Sequence, residues 1–142
     1  MKLATAILVA LFACVAWTPR LTSQTSPKPE DLARKSAESW LALTDSGKYA
    51  ESWQEASASF KAAVTQDQWL SALKSVRTPA GKVLSRNLKS ATYMKDPPNA
   101  PAGEYVIIQY DTAFENKKDA VETVVPTLDK DGKWRVSGCF IK

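Results

Sequence analysis

The residue pair with the clearest potential for acid–base chemistry is Asp111 and Glu122. Turn chemistry at residues 116–117 predicts a tight hairpin that places Asp111 opposite Glu122 on neighbouring strands. Two carboxylates in one closed pocket repel each other, and this repulsion raises one pKa toward the range of a general acid or base. The alternative is a solvated pair on the outer face of the sheet, neutralised by Lys89 or Arg86. The alternative is favoured because acid–base chemistry needs a water-excluding pocket. Glu122→Gln is then expected to leave stability almost unchanged.

Four aromatic residues form the second candidate site, a pocket between the helices and the sheet. They are Trp40, Trp53, Tyr110 and Trp134. Large rings of this kind either line a cavity or fill a core, and filling a core is the more common role. Tyr110 differs from the Trp residues because its hydroxyl needs a hydrogen-bond partner if it is buried.

The absence of His from the 142 residues removes several classes of chemistry. Ser-His-Asp and Cys-His nucleophile systems and His-based metal sites are excluded. Cys139 therefore has no base to activate it and is interpreted as a small, half-buried apolar residue. Residues 129–132 faintly resemble a calcium loop but lack the later Glu of that motif, so they are interpreted as a hairpin turn. We expect neither a metal nor another cofactor.

Composition and charge indicate one folded domain that does not bind nucleic acid. Hydrophobic residues make up 44% of the chain and charged residues 24%, which is typical of a globular domain. The net charge is +4, but the basic residues are dispersed, and the closest cluster is Lys117 and Lys118. A nucleic-acid interface would show a basic patch with interleaved aromatic residues. The charge is therefore interpreted as a solvated surface.

The first 17 residues are predicted to be a targeting leader. Residues 3–17 are almost wholly apolar and follow a positive residue, Lys2. A run of this length is short for a membrane span, which needs about 20 residues, and fits a secretory signal peptide. An uncleaved anchor helix remains the alternative. Cleavage after Ala16 is favoured over lipid attachment to Cys14, because Phe12 departs from the usual lipoprotein pattern.

Residues 18–29 contain three Pro and several Ser and Thr, and they are predicted to be a flexible tether. Residues 30–142 form the predicted single domain. The leader predicts an exported protein of the periplasm or cell envelope, or a secreted one. Contact with the membrane is expected only through an uncleaved or lipidated leader.

Three helices are predicted at the start of the domain. The first begins near Pro29 and ends at Gly47. The second covers residues 48–58. The third has a capping box, in which Thr65 is followed three residues later by Gln68, and Pro79 is expected to end it. Its buried stripe is predicted to be Trp69, Leu73 and Val76.

Four strands are predicted after Gly81, where the hydrophobic pattern changes from helical to alternating. They cover residues 82–95, 104–115, 118–128 and 133–142. In the predicted register Tyr110 lies opposite Thr123, and Glu122 lies opposite Cys139. The fold class is α+β, with three helices packed on one face of a curved, four-stranded antiparallel meander.

Short segments along the domain also carry a family resemblance. They are residues 37–40, 51–54, 60–69, 81–83, 103–105, 114–117 and 128–138. Together they resemble the bacterial family called domain of unknown function 4019, over about residues 33 to 142. The resemblance implies no activity, because that family has none assigned. It implies export or lipid anchoring, and by analogy a layout similar to the cone-shaped nuclear-transport-factor-2-like and cystatin-like folds.

Two classes of function follow from the sequence. The first is a non-enzymatic envelope module that binds a small apolar ligand or an envelope protein. The second is a small pocket enzyme of the isomerase or hydratase type, which would use carboxylate and Tyr groups. The absence of His and of a convergent polar cluster favours the first class.

Overall fold

In the computed structural model, which describes residues 26–142, four helices precede four strands. The helices are α1 (Pro29–Asp45), α2 (Tyr49–Gln54), α3 (Ala58–Ala63) and α4 (Gln66–Ala80). The predicted leader and most of the predicted tether, residues 1–25, lie outside the described part of the chain. None of the helices within 26–142 combines the length and the apolar character needed to span a bilayer.

The helix boundaries follow local sequence signals. Pro29 occupies the first turn of α1, and Thr65 and Gln68 form the predicted capping box of α4. The predicted second helix is shorter than expected, and α3 was not predicted. Ser57 separates the two, because its backbone N–H donates to the Val136 carbonyl and its hydroxyl caps α3. The prediction that Pro79 ends α4 is also wrong: the helix includes Pro79 and stops at Gly81, whose φ is +79°.

The strands form a single antiparallel meander in the order β1-β2-β3-β4. Their bounds are β1 (Val83–Lys95), β2 (Glu104–Phe114), β3 (Ala120–Leu128) and β4 (Trp134–Ile141). Helix α1 packs on one face of this sheet and touches all four strands. The predicted α+β fold, with helices followed by a four-stranded antiparallel sheet, is confirmed.

The predicted register of the sheet is wrong. Tyr110 pairs with Glu122, and Asp111 pairs with Val121, one residue away from the expected alignment. The reason is the β2–β3 connection: the Phe114 N–H donates to the Lys117 carbonyl, and β3 starts only at Ala120. Because side chains alternate between faces, a shift of one residue moves Glu122 to the helix-covered face.

The β3–β4 register also differs from the prediction. Cys139 pairs with Val124 rather than with Glu122, and the register shifts between Val125 and Pro126. Phe140 is 60% exposed on the face away from the helices.

The core lies between α1, the shorter helices and the inner face of the sheet. Small Ala33 and Ala37 let α1 approach the strands closely, and both are fully buried. The rings of Trp40 and Trp69 lie 5.7 Å apart, and Phe60 meets Trp69 edge-on at 5.1 Å. Further buried members of the cluster are Leu41, Ala56, Leu73, Val106, Ile108, Tyr110, Val124 and Val136.

The two edges of the sheet differ. On β4, the carbonyl of Trp134 accepts from the Ser36 hydroxyl at 2.7 Å, and the carbonyl of Val136 accepts from the Ser57 N–H at 2.9 Å. These contacts join α1 and the start of α3 to the last strand. Strand β1 forms the other edge and carries two register shifts along its length.

Candidate functional site

The four aromatic residues of the predicted pocket do not meet at one place. Trp40 and Trp134 line a common groove. The indole of Trp53 donates to the Val64 carbonyl at 2.8 Å and does not line that groove. Tyr110 is buried beneath the helices with 3% of its surface exposed. Of the four residues, the structure therefore brings only Trp40 and Trp134 to one groove.

The groove is open to solvent and lies between α1 and the β3–β4 hairpin, with a volume of about 430 Å³. We call it the Trp134 groove. It is lined by Ser36, Ser39, Trp40, Leu43, Glu55, Lys133, Trp134 and Arg135. Amphipathic α1 supplies the first four of these residues, and the hairpin supplies the last three.

Several polar groups of the Trp134 groove are already bonded within the protein. The Trp40 indole donates to the Ser52 carbonyl at 2.7 Å. The Ser36 hydroxyl donates to the Trp134 backbone carbonyl, and the Ser39 hydroxyl donates to the Lys35 carbonyl at 3.0 Å. These groups shape the groove but have little capacity left for a ligand.

Three other groups of the groove remain available. Within residues 26–142, Glu55 and Lys133 form no ion pair, and the indole N–H of half-buried Trp134 forms no hydrogen bond. The Trp134 groove thus offers an aromatic surface, one carboxylate, one ammonium group and one free N–H donor.

The hairpin that forms one wall of the groove is held firmly. Arg135 donates to Asp129 at 2.9 Å and to both oxygens of Asp131 at 2.9 and 2.8 Å. The Arg135 hydrogen bonds lower the pKa of Asp131 to about 2. Gly132 has φ +77°, as the predicted hairpin turn requires, and its N–H donates to the Asp129 carbonyl.

The predicted carboxylate pair does not exist as a pair. Asp111 lies on the outer face with an exposed side chain, and Lys89 Nζ lies 3.1 Å from its Oδ1. Glu122 lies on the opposite face and is fully buried. Each carboxylate therefore has its own basic partner, and the two do not share a site.

Glu122 belongs to a buried ionic network that the sequence did not predict. Oε1 accepts from Arg77 Nη1 at 3.3 Å and from Arg86 Nη2 at 3.2 Å. Oε2 accepts from Arg86 Nε at 2.6 Å and from the Thr112 hydroxyl at 2.7 Å. Four donors fill the roughly four acceptor positions of a carboxylate. Glu122 has no lone pair left for a substrate proton.

Asp45, at the end of α1, completes the network. It accepts from Arg77 Nη2 and from both terminal nitrogens of Arg86, at 2.7 and 3.0 Å. Burial raises the pKa of Asp45, but the hydrogen bonds and charges of Arg86 and Arg77 outweigh burial, so the pKa lies below its ordinary value. Arg77 also stacks 5.1 Å above the Phe114 ring.

A sequence signal for this network existed in α4. Buried positions of that helix are Trp69, Leu73, Arg77 and Ala80, whereas Val76, which was expected in the stripe, is 44% exposed. A charged residue at a buried position of an amphipathic helix indicates a buried partner of opposite charge. Glu122, the distant partner, carries no comparable signal in the sequence.

Tyr110 and Cys139 lie near the network without joining it. The Tyr110 hydroxyl is buried and has no hydrogen-bond partner within the described chain. Burial, with a contribution from Glu38, raises the pKa of Tyr110 to about 12. Burial, with a contribution from Glu122, likewise raises the pKa of Cys139 to about 12, so its thiol is not activated.

No group of three or more Cys, Asp or Glu side chains within residues 26–142 is placed to hold an ion.

Comparison with known protein families identifies a match. A family model described as "Protein of unknown function (DUF4019)" matches residues 36–139, a stretch that contains the groove and the ionic network. No curated protein matches the chain.

Proposed function

Because the chain belongs to the DUF4019 family, whose description assigns no activity, we propose a function from the residues of the chain itself. The protein is an exported bacterial envelope protein that binds a ligand or partner protein in the Trp134 groove without catalysis. The observation that carries this proposal is the set of unused groups in the groove. Trp134, Glu55 and Lys133 line one open groove. In the described part of the chain, Glu55 and Lys133 form no ion pair and the Trp134 indole N–H forms no hydrogen bond. The leader-like residues 1–17 support export.

The buried ionic network supports a structural role rather than a catalytic one. Both oxygens of Glu122 are saturated by internal donors, and a group that transfers protons needs a free position facing the substrate. Asp111 is exposed and neutralised by Lys89. The alternative of a pocket enzyme therefore loses the carboxylate pair on which it depended.

The test is native mass spectrometry of the full-length protein purified from a bacterial envelope, in wild-type and Trp134→Ala forms. We expect the wild type to carry a bound small molecule or partner that Trp134→Ala retains far less. Phe140→Ala is the matched control, because it removes an aromatic ring that is exposed on the other face of the sheet. A wild-type protein without any bound species, or equal retention by all three forms, would contradict the proposal.

A further inference from the structure

The Trp134 groove also indicates the chemical class of its ligand. We propose that it binds an uncharged oligosaccharide, with one sugar ring stacked on the Trp134 indole and hydroxyl groups bonded to Glu55 and Lys133. This inference rests on the proposed binding function and specifies its ligand.

The shape of the groove favours a chain-like ligand over a lipid. A site for an acyl chain needs an enclosed apolar cavity that buries most of the ligand surface. The Trp134 groove is open, about 430 Å³ in volume, and lined by polar side chains next to its two indoles. A sugar polymer can place one or two units in such a groove and continue into solvent at either end.

The free charges favour a neutral ligand. Glu55 contributes one negative charge and Lys133 one positive charge, and within residues 26–142 neither is neutralised by an ion pair. A phosphate-bearing ligand would meet the Glu55 carboxylate, and a cationic ligand would meet the Lys133 ammonium. Sugar hydroxyls can donate to the carboxylate and accept from the ammonium, forming charge-assisted hydrogen bonds with both.

The aromatic surface matches the same ligand. A pyranose ring has an apolar C–H face and a rim of hydroxyl groups. Half-buried Trp134 packs against the core and also lines the groove, and its indole N–H has no partner within residues 26–142, so its exposed part can contact the apolar face while the N–H bonds a hydroxyl.

Backbone pairing disfavours an extended peptide. A peptide that adds to a sheet edge needs free main-chain groups on that edge. The carbonyls of Trp134 and Val136 on β4 already accept from Ser36 and Ser57. The same contacts fix the backbone of Trp134, and the bonds from Arg135 to Asp129 and Asp131 fix the adjoining turn. Less conformational freedom is therefore lost when a ligand binds.

The experiment is isothermal titration calorimetry of the full chain with chitotriose and maltotriose, and with triglycine and inorganic phosphate as comparison probes. We expect at least one trisaccharide to bind and the two comparison probes not to bind. Trp134→Ala should weaken saccharide binding about ten-fold or more, and Trp134→Phe, which keeps a ring but loses the N–H, should weaken it less. Glu55→Gln and Lys133→Met should each weaken binding by a few-fold.

Control experiments distinguish failure of the saccharide proposal from failure of the proposed binding function. Phe140→Ala should bind the trisaccharide like the wild type, and circular dichroism should show that each variant is folded. The saccharide proposal is overturned if neither trisaccharide binds at about 10 mM, or if Trp134→Ala binds as well as the wild type. If native mass spectrometry then finds a different species that Trp134→Ala fails to retain, the binding function stands and only the saccharide is excluded.

Discussion

Arg86 on β1 and Glu122 on β3 are joined by two hydrogen bonds that cross the intervening strand, Nε to Oε2 at 2.6 Å and Nη2 to Oε1 at 3.2 Å. Thr112, on the strand between them, donates to the same carboxylate. Arg77 and Asp45 extend this contact to α4 and α1. One buried carboxylate thus connects five of the secondary-structure elements, and we expect its loss to affect the whole domain.

Glu122→Gln is expected to lower the free energy of unfolding by about 3–5 kcal/mol. It leaves the buried guanidinium of Arg77 and the half-buried guanidinium of Arg86 with Asp45 as their only carboxylate in the network. This replaces the expectation of near-neutral stability, which assumed a solvated side chain. Urea denaturation measures the change. Asp111→Asn is the control and should cost no more than about 0.5 kcal/mol, since its ion pair is exposed. Equal effects of the two substitutions would refute the structural role of the network.

Asp45 should make stability depend on acid pH. Its pKa in the folded state lies below the ordinary 3.8, so the unfolded chain takes up a proton more readily than the folded one. The stabilisation is complete above about pH 5 and is lost as the pH falls through the folded pKa. We expect the stability of Asp45→Asn to fall less steeply than that of the wild type between about pH 5 and 3. Denaturation curves measured across this pH range give the free energy of unfolding of both forms. If it falls as steeply in Asp45→Asn as in the wild type, the ion pairs of Asp45 are contradicted.

Tyr110→Phe is expected to raise stability, by up to about 1 kcal/mol, because the hydroxyl that it removes is buried without a partner. Tyr105→Phe is the matched control, and it is expected to have the opposite effect on stability. It removes a hydroxyl that donates to the Pro101 carbonyl at 2.9 Å and should cost about 0.5–1.5 kcal/mol. Thermal denaturation of both variants gives the comparison, and destabilisation by Tyr110→Phe would show that its hydroxyl has a bonding partner.

The titration of Tyr110 gives an independent measurement of its burial. Its pKa of about 12 exceeds the ordinary 10, so the folded state binds this proton more tightly than the unfolded state does. The resulting stabilisation is complete below about pH 10 and is lost as the pH rises toward about 12. Ultraviolet absorbance should show a tyrosine that ionises near pH 12 in the wild type and is missing in Tyr110→Phe.

Trp69→Ala is expected to cost about 3–5 kcal/mol, since Trp69 is 7% exposed and packs against Trp40 and Phe60. Its indole donates to the Ser52 hydroxyl at 3.0 Å, so Ser52→Ala should cost a smaller amount, about 1–3 kcal/mol. Leu84→Ala is the exposed control, with little expected change. Chemical denaturation that ranked Leu84→Ala above Trp69→Ala would contradict the described core.

The sequence predicted the elements whose boundaries depend on local chemistry. Pro29 and the capping box of Thr65 and Gln68 predicted the starts of α1 and α4, and alternating residues predicted four strands. The break between α2 and α3 was not predicted, because the bond from the Ser57 N–H to Val136 joins residues that are distant in the sequence.

The candidate site was harder to predict because it depends on register and on distant partners. Residues 116–117 suggested a two-residue turn, but the longer connection shifted β3 by one position and moved Glu122 into the core. The arginine partners of Glu122 are 36 and 45 positions away, so no local pattern connects Arg86 or Arg77 with it. Trp40, Trp53 and Trp134 were all named as candidates, but only the folded chain shows that Trp40 and Trp134 share a groove that Trp53 does not line.

The hydrogen bond from Ser36 to Trp134 joins residues 98 positions apart, and α1 packs mainly on β3 and β4. Helix α1 therefore lacks its full packing surface until strand β4 has been synthesised. Loop-closure entropy must be overcome before these distant contacts stabilise the chain, which slows folding relative to proteins that are rich in local contacts. During that interval the apolar stripe of α1 is open to chaperones and proteases, and pairing of β4 with β3 ends this exposure.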